Sequence, residues 1–233
     1  MKKIVFIIVF MAVLFVSLKA DVFIREEREA SSSSGQLMGK IVEEKWLGKD
    51  KMVKLIKNVA VVFDLGNNKL ILIDYRSKTY FESTLPVEMS ELAPNPQTKA
   101  LSNLFKNVSI SVSPNGKEKK IGEWNCKGYD VKMNFEALSI PITYWASTEV
   151  PFDWEKYIKL DEEWTKFQLG ISNISTSEYK KIQGYTIATE MNMMETIIKT
   201  KVLEISIKEA PPGTYEVPKN FTKVDKMTTS QQD

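Results

Sequence analysis

Val108-Ser109-Ile110-Ser111-Val112-Ser113 alternates apolar and serine positions without a break. Period-two alternation is the signature of a strand with one face buried, and it decides the fold class, because most of the chain repeats it. Pro114-Asn115-Gly116 follows and supplies turn chemistry, since Asn-Gly tolerates positive φ. The next predicted strand runs from Trp124 to Phe135. Trp124 and Cys126 are apolar on one phase, and Tyr129, Val131, Met133 and Phe135 on the other. The phase flips at Gly128, which predicts a β-bulge there.

Working outward, Leu203, Ile205 and Ile207 alternate with Glu204, Ser206 and Lys208. Val59–Leu65 and Leu70–Tyr75 flank Gly66-Asn67-Asn68, a hairpin signal. Gln36–Leu47, Met52–Lys57 and Thr79–Phe81 extend an up-and-down series that Val22–Ala30 opens. Ser31–Ser34 ends at Gly35 and reads as a turn. About ten antiparallel strands accumulate twist and curl.

Two segments break the alternation. Pro86–Phe105 contains Pro94 and Pro96, so it predicts short broken helices, with 97–106 as one of them. The second segment is a predicted helix from Asp153 to Gly170. Asp153 is its N-cap and Gly170 its stop. Trp154, Tyr157, Leu160, Trp164, Phe167 and Ile171 recur at helical spacing and form one apolar stripe. The expected architecture is therefore mainly β (α+β). A curled antiparallel sheet forms an incomplete barrel, with helices covering its concave face.

The N-terminus predicts a destination. Lys2 and Lys3 precede an uncharged apolar run, Ile4–Leu18, and Ala20 precedes Asp21. A charged head, a short apolar core and a small residue before the cut are the layout of a secretory signal peptide. A membrane-spanning helix takes about 20 apolar residues. Residues 1–20 are expected to be a cleavable leader, with an uncleaved anchor as the alternative. Residues 21–225 are expected to be one domain and 226–233 a disordered tail. The protein is then periplasmic or secreted.

Composition narrows the chemistry. The chain has no histidine and one cysteine, Cys126. Ser-His-Asp and Cys-His mechanisms and the H-E-x-x-H zinc site are thereby excluded within one chain. Cys126 reads as a small buried apolar residue. Without Lys2, Lys3 and Lys19 the balance is 29 basic to 30 acidic residues, a net charge of −1. No basic, aromatic-interleaved run is present, so no nucleic acid is expected as a partner. Glu26-Glu27-Glu29 and Asp161-Glu162-Glu163 read as hydrated acidic surfaces. No P-loop or dinucleotide fingerprint occurs. No cofactor, metal site or catalytic residue is expected.

Several segments resemble a known family. Asn58–Leu65, Lys69–Asp74 and Lys78-Thr79-Tyr80 are similar to consecutive strands of the DUF4412-type exported bacterial proteins. So are Gly122–Tyr129, Gly184-Tyr185 with the strands up to Ile207, and Pro212–Pro218. The resemblance implies the LolA/LolB-like (lipoprotein carrier) half-barrel fold, an envelope location and no known catalysis. The lipoprotein carriers' arginine-dependent ligand grip does not map onto this chain.

The functional expectation is an exported envelope protein that binds an apolar ligand, a lipid or acylated molecule, in a half-barrel cleft. Its expected lining is Phe63, Met133, Trp145, Trp154, Tyr157, Trp164, Phe167 and Met193. The alternative is a non-catalytic interaction or structural module with a fully packed interior and an envelope protein as partner. An exported enzyme working with carboxylates alone is the third reading, and it requires a converging Asp/Glu pair in a pocket.

Overall fold

A computed structural model describes residues 20–87, 108–135, 138–170 and 175–226. The leader, the predicted helix over 97–106, Ile171 and nearly all of the predicted tail lie outside the described residues. Among those described, no helix is long and apolar enough to cross a membrane.

Twelve strands form one open sheet. The first meander is β1 (Asp21–Ser32), β2 (Leu37–Leu47), β3 (Lys51–Ile56), β4 (Val59–Asp64), β5 (Lys69–Asp74) and β6 (Thr79–Thr84). The second is β7 (Ser109–Ile121), β8 (Trp124–Asn134), β9 (Ser139–Ser147), β10 (Tyr185–Met193) and β11 (Thr196–Lys208). The two join through antiparallel pairing of β1 with β11. A short β12 (Thr222–Lys223) adds in parallel outside β6. β6 and β7 thus lie towards opposite ends of the sheet, which curls without closing. The mainly β architecture expected from the alternation is the one observed.

Local chemistry explains the joints. β4 and β5 meet in a turn at residues 65–68, where the Asp64 carboxylate accepts hydrogen bonds from the backbone and side-chain amides of Asn67 at 3.0 and 2.8 Å. The Pro114-Asn115-Gly116 stretch is not the hairpin turn that its residues predict. β7 runs through it, and the turn falls at Gly122-Glu123, between the paired Ile121 and Trp124. Residues 115–117 instead form the bulge, opposite Gly128 on β8. A Cβ on Gly128 would lie 2.4 Å from Asn115 Oδ1, so the glycine makes room for the asparagine that shapes the bulge. That Oδ1 accepts from the Lys117 amide, and the Asn115 amide group donates to Asp130.

The predicted helix begins as a single 3-10 turn, Trp154–Tyr157, and continues as α1 (Ile158–Leu169). Asp153 makes no capping hydrogen bond. Its carboxylate turns instead to Lys156, at 3.1 Å. Gly170 ends α1 in the left-handed conformation, as predicted.

Both faces of the first meander are buried where the start of β1 and the end of β2 meet β3, β4 and β5. Val22, Ile24, Leu47, Met52, Val61, Phe63, Leu70 and Leu72 pack with Leu160 and Trp164 of α1. The alternate residues Phe23, Trp46, Val53, Ala60, Val62 and Ile73 form a separate core. It is covered by Ala210, Tyr215, Val217 and Phe221 from the C-terminal segment. In the second meander, Val131, Met133, Ile140 and Ile142 build a third core with Ile182 and Tyr179.

Candidate functional site

The sheet presents a row of side chains to α1. Pairing places Ile24, Lys45, Lys54, Val61, Leu72 and Phe81 side by side across β1 to β6. Two lysines therefore stand in an otherwise apolar row. On the next row, Glu26 lies beside Glu43. Lys45, Lys54 and Glu43 are buried to 5%, 3% and 1% exposure. Isolated charges at that depth would cost several kcal/mol each, so each must find a partner.

The partners are present. Lys54 Nζ lies 2.9 Å from Glu26 Oε2 and 2.7 Å from Glu43 Oε2. Lys45 Nζ donates to the Tyr185 hydroxyl at 2.7 Å and lies 3.7 Å from Glu26 and 3.5 Å from Asp161 Oδ1 of α1. Arg28 Nε approaches Glu43 Oε1 at 3.4 Å, and neither atom has a hydrogen-bond partner. Burial alone would raise the Glu26 carboxyl, but Lys45 and Lys54 together hold it down at about 2. Burial alone would likewise discharge Lys45. Glu26, the Tyr185 oxygen and Asp161 outweigh it and push the ammonium well above the usual lysine range. Asp161 is raised, because loss of hydration beneath α1 outweighs the attraction of Lys45.

Aromatic rings wall the cluster. Lys54 Nζ sits 4.8 Å from the Trp164 ring centre, and Lys45 Nζ 5.2 Å from that of Tyr185. Phe63 meets Trp164 and Phe167 edge-on at 6.2 and 5.7 Å. Phe152 bridges Tyr157 and Tyr185 at 5.8 and 5.2 Å. The helix–sheet seam is closely filled. A gap of about 10 Å³ remains, lined by Phe63, Leu85, Pro86, Val87, Glu163, Lys166 and Phe167.

Of the predicted lining, Phe63, Trp154, Tyr157, Trp164 and Phe167 meet in the helix-covered core. Trp145 packs at its margin, with Lys119 Nζ 3.9 Å above its ring. Met133 belongs to the third core, because the phase flip at Gly128 sends it there. Met193 ends β10 and is 39% exposed. Those two methionines do not join the aromatic set.

Glu26, Glu43, Lys45, Lys54, Asp161 and Tyr185 escaped the sequence reading. A signal was available. Lys54 stands alone between Met52 and Ile56 on the phase of a strand that reads as buried, and Glu26 continues the phase of Val22 and Ile24. The two acidic groups read as hydrated are thus corrected at Glu26, which is buried between lysines, and at Asp161, which reaches Lys45. Glu26 and Glu43 do converge, but Lys54 lies between them at 2.9 and 2.7 Å and closes the pair off.

A second cleft, of about 380 Å³, lies over β7, β8 and β9 and is lined by Lys119, Asn125, Lys127 and Glu149 among others. Asn125 holds the Glu149 carboxylate through its backbone and side-chain amides at 3.1–3.2 Å. Cys126 forms part of the wall. Its thiol is 2% exposed and raised by burial, as expected of an inert apolar residue.

No family model matches the chain, and no curated protein matches it. Solved structures similar to it include PNGF-II, at 11% identity and a TM-score of 0.42, covering 88% of this chain and 31% of that one. The chain thus spans about a third of the length of PNGF-II. LprF from Mycobacterium bovis is similar at 8% identity and a TM-score of 0.33, with 87% of this chain and 90% of that chain covered. A DUF1329 family protein from Desulfovibrio piger is similar at 9% identity and a TM-score of 0.29, with 84% and 89% covered.

Proposed function

We propose that this is an exported, non-catalytic envelope protein of the LolA/LolB-like, DUF4412-resembling kind, which holds an apolar chain between α1 and the curled sheet. The observation that carries this reading is the aromatic seam of Phe63, Trp164 and Phe167 between α1 and the sheet. It offers rings and aliphatic side chains to a lipid or acyl group on a sheet that does not close. Each buried methylene is worth about 0.8 kcal/mol, so about ten methylenes supply micromolar binding. The 10 Å³ gap has room for one water at most. Binding therefore requires α1 to lift from the sheet. The lack of histidine and the inert state of Cys126 support a role without catalysis.

The test is lipid analysis of the protein extracted from its native source, followed by titration with a fluorescent fatty acid. Co-purifying lipid and saturable uptake are expected. A lipid-free extract together with no uptake would overturn the reading. The packed-interior module is the second reading, and the closeness of the helix–sheet seam favours it. On that reading a protein partner docks at the edge strand β7 or on the C-terminal segment, and α1 stays in place throughout.

A further inference from the structure

The charge balance beneath α1 narrows the ligand class. The sheet side of the cluster holds three cations, Arg28, Lys45 and Lys54, against two carboxylates, Glu26 and Glu43. The third carboxylate, Asp161, comes from the helix. Lys54 keeps two carboxylates within 2.9 Å whatever α1 does. Lys45 does not. With α1 lifted, it retains the Tyr185 hydroxyl at 2.7 Å and a more distant Glu26 at 3.7 Å that is already bound to Lys54.

An uncharged apolar chain between the lifted α1 and the sheet would leave that ammonium under hydrocarbon and short of one negative charge, which is strongly unfavourable. A ligand carrying its own anion restores the balance. We infer that the ligand is an amphiphile with a negatively charged head, carboxylate or phosphate, whose head replaces the Asp161 carboxylate at Lys45 while its chain lies along Phe63, Trp164 and Phe167. The geometry fits, since Lys45 and Phe63 stand on neighbouring strand rows of one face, and Asp161 and Trp164 lie one turn apart on α1. This inference rests on the apolar-chain reading above and goes beyond it in naming the head group.

The experiment compares oleic acid, oleyl phosphate and oleyl alcohol, which share one chain, by equilibrium binding to the purified protein. At least one anion is expected to bind about tenfold or more tighter than the alcohol, as a charge-assisted contact provides. The better anion distinguishes a carboxylate from a phosphate head. Equal binding of all three would overturn the inference and leave the apolar-chain reading standing. Binding of none would overturn both. Lys45→Met should abolish the preference for the anion. Asp161→Asn, at a position whose side chain is 38% exposed, guards against a misfolded Lys45 variant. It should tighten anion binding several-fold more than alcohol binding, and equal gains for both would overturn the inference.

Discussion

Glu26 shows how far one residue's environment can depart from its neighbourhood in sequence. Flanked by Glu27 and Arg25, it has the look of a hydrated charge, yet strand alternation turns it inward between Lys45 and Lys54. Against the loss of hydration, the two ammonium groups hold its carboxyl at about 2, below the ordinary glutamate value of 4.5. The stabilisation it provides is full above pH 4.5 and lost as pH falls towards 2. By linkage that is about 3 kcal/mol. Asp161, whose pKa is raised, acts with the opposite sign and offsets part of the loss. Urea titrations at stepped pH should show stability falling through this window. Glu26→Gln should cost about 3 kcal/mol at neutral pH and flatten the slope. An unchanged slope would mean that the pair with Lys54 contributes no linkage. Burial of Cys126 was legible in the sequence because an apolar phase flanks it. Burial of Glu26 was not, because a charge on an inward phase announces itself only when its partners on β2 and β3 are known.

Among the elements, α1 and the β4–β5 hairpin were legible, and the turn between β7 and β8 and the outer covering were not. The aromatic stripe from Trp154 to Phe167 and the Gly170 stop are local patterns, so spacing alone revealed them. The segment after β11 carries Pro211, Pro212 and Pro218 and has no period, so its role could not be read from it. In the fold it lies over the core of Phe23, Trp46, Val62 and Ile73. Tyr215 donates to Asp21 at 3.0 Å, and Phe221 meets Tyr75 at 5.6 Å between ring centres. Ending the chain after Glu209 should uncover that core. A loss of about 4 kcal/mol is expected from the rings and aliphatic groups released. Denaturant midpoints together with enhanced binding of a hydrophobic dye check it. Unchanged stability would show the segment to be a passive cover.

At the scale of the molecule, the sequence revealed strands but not their order. Six consecutive strands pair as a meander, as their short turns require. The seam between β1 and β11 depends on contacts about 170 residues apart, which no local pattern encodes. Stability should be uneven across this sheet. Residues 22–24 of β1, 45–47 of β2, 52–54 of β3 and 60–63 of β4, buried on both faces, should show the slowest amide hydrogen exchange. The tips at residues 33–38 and 192–196, where Met38 is 65% and Met194 85% exposed, should exchange with opening free energies near zero. Uniform protection would contradict the burial pattern. The same seam sets the timetable of folding. Asp21–Ser32 can pair with Leu37–Leu47 at once, but its other edge stays open until Thr196–Lys208 has followed. Tyr215, which clasps Asp21, arrives later still. The joint between the two meanders therefore closes last, and topology alone keeps the sheet in two halves until nearly the whole chain is present.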